Sequence, residues 1–314
     1  MDHKLYLSDS GIKKVKDKHY YFNKNNQKVT DPNILNRLNK FRVPPAWVDV
    51  WYASKPNCHI QVYGTDTGGK KQYILSEKWI NTSKFGKFNR MKTFIKNLNG
   101  FKKKIKLKET IVNKDTLVNK DTLVNLLFNL LIDLHIRVGN EVYVPKSYGL
   151  TTLRQKHIKK ENGNFILNFV GKSNIEHTVN IPSFYNIYME KLIIIGKNNK
   201  NKPLFHFNEN FISSEELNIF LKENMGKEYT CKDFRTYSAN MLFIKEFKTL
   251  TKNVNVSPKK IILQSIDESA SLLGHTRNIS RKSYISDNLL SYCLDSFDKA
   301  IQLSPSELLS KVWS

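Results

Sequence analysis

Apolar positions in the first 75 residues come in short runs bounded by polar turns, the pattern of strands. Lys4-Leu5-Tyr6-Leu7 and His19-Tyr20-Tyr21-Phe22 are two such runs, the second closed by Asn23-Lys24-Asn25-Asn26. After Pro44-Pro45, the stretches Trp47-Val48-Asp49-Val50-Trp51 and His59-Ile60-Gln61-Val62-Tyr63 alternate with period two. A turn, Gly64-Thr65-Asp66-Thr67-Gly68-Gly69, leads into Lys70-Lys71-Gln72-Tyr73-Ile74-Leu75, which predicts a hairpin. The period then changes to that of a helix. Phe85, Phe88, Met91, Ile95 and Leu98 share one face, and Lys84, Lys87 and Arg90 another. Lys102-Lys103-Lys104, Lys106 and Lys108 follow. Leu123, Leu126, Leu127, Leu130, Leu131 and Leu134 form a strong buried helical stripe. Strands return at Thr152–Ile158, Phe165–Val170 and Ile175–Ile181, a three-stranded meander with tight turns at 161–164 and 171–174. The remainder reads as helical. Ser213/Glu216 and Thr230/Asp233 give capping-box starts. Ser257-Pro258 opens a helix that runs to Gly274, and Ser304, Pro305 and Glu307 open a last short one. The fold class is therefore α+β: a small antiparallel β-rich domain over residues 1–80, then a mainly helical domain over 81–314 that carries one meander.

Between these elements lies a six-residue duplication, Asn113–Val118 and Asn119–Val124. A single duplication is not a solenoid period. It reads as an insertion ahead of the leucine helix, without an assigned role.

Charge narrows the function. The 314 residues hold 51 Lys plus Arg against 28 Asp plus Glu, a net charge of +23. An AT-rich coding bias explains part of the lysine but not the shortage of acids, so a polyanion is the expected partner, most simply nucleic acid. The three cysteines, Cys58, Cys231 and Cys293, are scattered and form no zinc or disulfide framework. A reducing, intracellular setting follows as an expectation. Met1-Asp2-His3-Lys4 opens no apolar signal segment, and no apolar run approaches about 18 residues. A soluble protein without a membrane partner is expected.

Several side chains are candidates for phosphodiester chemistry. Arg137, at the end of the leucine helix and near Gly139, is either a structural ion-pair partner or an anion ligand. Lys172 sits at a hairpin tip, as a solvated turn lysine or as a mobile ammonium able to reach a reacting oxygen. Lys232 and Arg235, at i and i+3 near a helix N-terminus, are placed to attract phosphate. His275 follows a helix-ending glycine, and Tyr284 lies nine residues on in a basic, polar segment. In the hairpin, Lys70, Lys71, Gln72 and Tyr73 are either a solvated strand end or contacts to phosphates, sugars and base edges.

Taken together, this ordered set resembles the type IB DNA topoisomerases, in particular the small poxvirus and giant-virus enzymes and their bacterial relatives. The resemblance rests on Ile136-Arg137-Val138-Gly139-Asn140-Glu141, Tyr148-Gly149-Leu150-Thr151-Thr152-Leu153, Phe169-Val170-Gly171-Lys172, Lys232-Asp233-Phe234-Arg235-Thr236-Tyr237 and Leu273-Gly274-His275-Thr276. Near the N-terminus Pro44-Pro45-Ala46-Trp47 and Gly69-Lys70-Lys71-Gln72-Tyr73 also match. The likeness covers nearly the whole chain.

The resemblance implies the tyrosine recombinase/topoisomerase IB catalytic fold, with Tyr284 as the nucleophile that forms a 3′-phosphotyrosyl link. Arg137, Arg235 and His275 stabilise the transition state, Lys172 is the general acid for the 5′-oxygen, and Lys232 supports it. Asn240 and Tyr143 join the hairpin residues as DNA contacts. Tyr143 keeps the family's residue type, but the neighbouring lysines of the poxvirus enzymes are absent from Asn140-Glu141-Val142-Tyr143, so their sequence preference is not expected here. No ATP, metal or other cofactor is implied. The partner is double-stranded DNA, held by a monomer that closes as a C-shaped clamp. A viral source implies the virion and the site of viral DNA replication or transcription. Whether the nucleophile is in place before DNA binds is left open by the sequence.

Two alternatives remain. A tyrosine recombinase shares the chemistry, but typically carries His-x-x-Arg where this chain has Lys232-Asp233-Phe234-Arg235, and has a helical N-terminal module. A non-catalytic DNA-binding protein would suit the charge alone.

Overall fold

The computed structural model describes residues 11–14, 21–107, 119–196, 199–207, 210–252 and 256–313. Lys4–Leu7, His19, Tyr20, Lys108 and the first copy of the duplication lie outside the described residues. The chain divides into two compact units, Met1–Lys87 and Phe88–Ser314, and the division falls within the helix Glu77–Lys104.

The first unit is an antiparallel sheet of β1 (Ile12–Lys14), β2 (Tyr21–Phe22), β3 (Val48–Tyr52), β4 (Ile60–Thr65) and β5 (Lys71–Leu75), in the order β2-β1-β3-β4-β5. The expected hairpin is β4–β5, with Tyr63 opposite Tyr73 and Thr65 opposite Lys71. Regular alternation in β3 does not hold. Asp49 adopts φ +52, and the register shifts between Val48 and Trp51. A bulge of this kind re-aims the side chains that follow it. Tyr52 packs with Ile12, Tyr21, Leu38 and Val62, while Trp51 packs with Ala53, Cys58 and Ile60. The helix α1 (Pro32–Asn39) was not expected, although its signal is local. Asp31 accepts hydrogen bonds from the N–H groups of Asn33 (2.8 Å) and Ile34 (3.3 Å), and proline occupies the first helical position. Burial of Leu38 docks it on the sheet.

Helix α2 (Glu77–Lys104) buries Met91 and Leu98 of the expected stripe, with Phe88 and Ile95 packed partly against the core, and adds Phe94 and Phe101; only Phe85, 74% exposed, stays out. Phe94 and Phe101 turn inward because they meet other rings: Phe94 lies edge-on to Phe234 at 5.1 Å and Phe101 edge-on to Phe128 at 5.1 Å, an arrangement aromatic quadrupoles favour. Arg90 is not a free cation for DNA. It pairs with the buried carboxylate of Asp233 at 3.0 Å. The second copy of the duplication starts α3 (Lys120–Leu134): the Asn119 side chain caps the N–H of Thr122 at 2.8 Å. His135 ends this helix in the left-handed region, φ +55.

The meander is β6 (Ile158–Glu161), β7 (Asn164–Val170) and β8 (Glu176–Ile181), in sequence order. Its first strand is shorter than expected and lies later in the chain, sharing only Ile158 with the expected run Thr152–Ile158. Residues 150–152 and 155–157 form single 3-10 turns, because the N–H groups of Leu150 and Thr151 are taken at 2.7 Å by the carbonyls of Arg137 and Val138. Next come α4 (Asn186–Gly196), the small pair β9 (His206–Phe207) and β10 (Asn210–Phe211), and α5 (Ser214–Asn224), which has the expected reciprocal cap between Ser213 and Glu216. The helix α6 (Cys231–Leu250) is buried on most of its circumference and forms the axis of the unit. It is followed by α7 (Pro258–Leu272), α8 (Arg277–Ser283), α9 (Asp287–Asp295), α10 (Phe297–Gln302) and α11 (Pro305–Val312). Among the described residues no helix is long and apolar enough to cross a membrane.

Candidate active site

Arg137, Arg235, His275 and Tyr284 meet inside the second unit, although they arise from four separate places in the sequence. Arg137 follows the left-handed turn at His135. Its loop is stitched to residues 149–152 by the two 2.7 Å backbone bonds above and by Thr151 Oγ1, which donates to the Val138 carbonyl at 2.9 Å. Gly139 and Gly149 pack backbone on backbone: a Cβ on Gly149 would lie 2.6 Å from Cα of Gly139. This accounts for the core of the Tyr148–Leu153 motif: residues 149–152 hold the arginine loop.

Arg235 is 6% exposed on α6. Its guanidinium donates to the carbonyl of His135 at 2.7 Å and to that of Leu273. It also donates to His275 Nε2, from NH2 at 3.0 Å and from Nε at 3.3 Å, and Arg137 NH2 reaches the same nitrogen at 3.1 Å. Guanidinium groups only donate, so Nε2 carries the lone pair and the ring proton sits on Nδ1, which faces Ser280 Oγ at 3.3 Å. Burial, then the charges of Arg235, Arg137 and Lys172, push His275 down to about 3. Burial and the Arg137 charge also lower Arg235, opposed by Tyr284 through its charge and then a hydrogen bond.

Tyr284 is 6% exposed and stacks on His275, with ring centroids 4.5 Å apart. It sits within the cluster rather than out of position. Three local features set its place. Thr276 caps α8 by accepting from Ile279 N–H, Ser280 O accepts from Tyr284 N–H at 3.0 Å, and Asn240 reaches across from α6. Asn240 is fully buried. Its amide donates to the Tyr284 carbonyl at 2.9 Å and accepts from Ser286 N–H at 2.9 Å. The expected phosphate contact by Asn240 is corrected: its polar atoms are spent on the backbone around Tyr284.

Lys172 is exposed in the β7–β8 turn, where Gly171 N–H closes the hairpin on Ile175 O at 2.7 Å. It lies near enough for its charge to act on His275. Lys232 is exposed, while Arg235, one turn further along α6, is buried. The α6 N-terminus is not an open anion site. Asp233 Oδ2 already accepts from Thr230 N–H (2.8 Å) and Thr230 Oγ1 (3.0 Å).

In the first unit, strand alternation separates residues expected to act together. Lys71 and Tyr73 lie on the Tyr63 face, with Lys71 Nζ 5.0 Å from the Tyr63 ring centre. Gln72 points the other way and donates to Asp66 Oδ2 at 2.7 Å. Lys70 is exposed in the turn, its N–H held by Asp66 Oδ1 at 2.9 Å. Tyr143 is exposed on the short turn Glu141–Tyr143, which is fixed by the Arg154–Glu141 ion pair at 2.7 Å. Among the described residues no group of three or more His, Cys, Asp or Glu side chains is placed to hold a metal ion.

Sequence reasoning missed Ser280 and His177. Ser280 was visible only as a small polar residue between His275 and Tyr284. His177 had a signal in its place five residues after Lys172, on the strand leaving the lysine turn.

Comparison with known proteins identifies the class. Residues 76–302 match the family model of the eukaryotic DNA topoisomerase I catalytic core, and residues 18–66 that of the bacterial DNA topoisomerase IB N-terminal domain. The chain belongs to the type IB DNA topoisomerases, enzymes that change DNA topology. It is 36% identical to DNA topoisomerase 1B of Acanthamoeba polyphaga mimivirus over 90% of this chain and 84% of that protein. It is 27% identical to DNA topoisomerase 1B of Vaccinia virus (strain Copenhagen) over 87% of this chain and 90% of that protein. The same identity and shares hold for DNA topoisomerase I of Monkeypox virus.

Proposed function

We propose that the chain, as a monomer gripping one duplex, nicks a single DNA strand, lets it rotate to relax supercoils of either sign, and reseals it. The second unit has the tyrosine recombinase/topoisomerase IB catalytic fold. The Tyr284 phenol oxygen attacks a phosphodiester phosphorus. A 3′-phosphotyrosyl bond forms, the phosphorus–O5′ bond breaks, and the departing 5′-oxygen takes a proton from Lys172 while the phenol proton leaves to solvent. The 5′-hydroxyl later attacks the same phosphorus and regenerates Tyr284. Bond energy is conserved in the linkage, so resealing needs no ATP, and the cationic side chains do the work a metal would otherwise do.

The observation that carries this reading is His275 Nε2 receiving both Arg137 and Arg235 while its ring stacks on Tyr284. Two guanidiniums thus converge on one point beside a phenol. Donors aimed at the equatorial oxygens of a five-coordinate phosphorus stabilise its dispersed charge. An arriving phosphodiester draws both guanidiniums onto itself and offsets their field. His275 can then take a second proton and donate from Nε2. Lys232, exposed at the α6 start, supports the phosphate from further out, and Lys70, Lys71, Gln72, Tyr73 and Tyr143 contact DNA, Gln72 after exchanging Asp66 for a base edge.

The test is relaxation of a supercoiled plasmid in EDTA without ATP. Wild type is expected to relax it and to leave a covalent protein–DNA adduct after rapid denaturation. Tyr284→Phe is expected to bind DNA equally well and to give neither. Retention of relaxation by Tyr284→Phe would remove Tyr284 as the nucleophile.

A further inference from the structure

Gly171 has φ −93 and ψ −166, an extended conformation open to any residue, so its backbone does not require glycine. The space around it does. A Cβ there would stand 2.6 Å from Nε2 and 2.7 Å from Cδ2 of His177. Across the same ring lies Gly274, where a Cβ would stand 2.6 Å from Cε1 and 3.2 Å from Nε2 of His177. The outer edge of one imidazole therefore fills the gap between two glycines. Gly171 precedes Lys172, and Gly274 precedes His275. The ring lies flat on Phe169, its cross-strand partner, at 4.9 Å and 14°. Its tilt is thereby fixed from the sheet.

We propose that His177 is a positioning residue, a planar wedge that sets the separation between the Lys172 turn and the His275 turn so that both reach one phosphodiester. The proposal rests on the reading of Lys172 as the acid and His275 as a transition-state donor. The ring is the group nearest to both glycines, and misplacement by about 1 Å is enough to cost about 10²-fold in rate.

The test is a double-mutant cycle on the full chain. Gly171→Ala, His177→Ala and the double variant are compared by single-turnover cleavage of a duplex with a 5′-bridging oxygen or a 5′-bridging sulfur. Noncovalent affinity and melting are measured alongside. Gly171→Ala and His177→Ala are each expected to slow cleavage of the oxygen substrate about 10²-fold at unchanged affinity. In the double variant the new methyl enters the space left by the ring, so Gly171→Ala should cost less than about threefold further. Both single losses should shrink on the sulfur substrate, whose thiolate leaves without an acid. His177→Gln, planar and polar, should recover to within about tenfold. The wedge is overturned if Gly171→Ala alone is harmless, or if its cost is the same with and without the ring. Equal losses on oxygen and sulfur would remove the link to Lys172. Should His177→Ala fail to fold, Gly171→Ala on the two substrates decides alone. Lys172→Ala run in parallel separates the two ideas: if sulfur does not rescue it, the acid assignment falls, while the 171–177 coupling still reports on the wedge.

Discussion

His275 illustrates how position changes what a side chain is. Two guanidiniums share its Nε2, and burial with their charge pushes it down to about 3. In the unfolded chain it titrates near 6.5. Between those values the unfolded state binds a proton that the folded state refuses, so folding loses stability as pH falls through 6.5. From pH 6.5 to 5 one such group removes on the order of 1 kcal/mol once its partial exposure is discounted. His157, pushed down to about 4 by burial, and His177, lowered by burial and by Arg235 and Arg137, act with the same sign. The melting temperature is therefore expected to fall between pH 7.5 and 5, and to fall less in His275→Gln. An unchanged pH slope in that variant, read by calorimetry, would show that His275 is not held neutral by its neighbours.

At the scale of elements, α6 does two jobs five residues apart. Arg235 anchors the site to the carbonyls of His135 and Leu273, and Asn240 staples the backbone on either side of Ile285. Asn240→Ala strands the Tyr284 carbonyl and the Ser286 N–H in a dry interior. The expected cost is about 1–3 kcal/mol of stability in urea titration. Single-turnover cleavage should slow at least about tenfold while DNA affinity stays within about twofold. A large affinity loss with normal chemistry would return Asn240 to the role of a DNA contact. The caps at Ser213 and Ser304, the hairpin β4–β5 and the leucine helix were legible in the sequence, because each depends on residues within a few positions of one another. Asn240, Phe85 and the strand expected at 152–158 were not. Whether Asn240 faces solvent or Tyr284 depends on where α8 docks. Phe94 turns inward because Phe234 is there to meet it. Residues 150–152 curl into a turn because the Arg137 loop takes their N–H groups. That Arg137, Arg235, His275 and Tyr284 belong together was legible from ordered motifs, but the wedge at His177 was not, since it is defined by two glycines about a hundred residues apart.

At the scale of the whole molecule, charge decides. Several acids are already occupied by internal cations, as in Arg90–Asp233, Lys120–Glu216, Arg154–Glu141, Lys160–Glu190 and Arg277–Asp267. Each pair uses one charge of either sign, so internal pairing leaves the excess of +23 untouched. That excess must be met by counterions in the free protein, and DNA releases its own counterions when lysines replace them. The logarithm of affinity is then expected to fall linearly with the logarithm of salt, with a slope of about −0.9 per phosphate contacted. Tyr284→Phe should keep the full slope, since an uncharged phenol neutralises no phosphate. Lys71→Ala should lower its magnitude by about one if Lys71 meets a phosphate. Binding isotherms of both variants on one duplex from about 50 to 200 mM salt check this. A wild-type slope near zero would contradict a polyanion partner. An unchanged slope in Lys71→Ala would instead assign that lysine to its contact with Tyr63, leaving the grip on DNA to the other lysines.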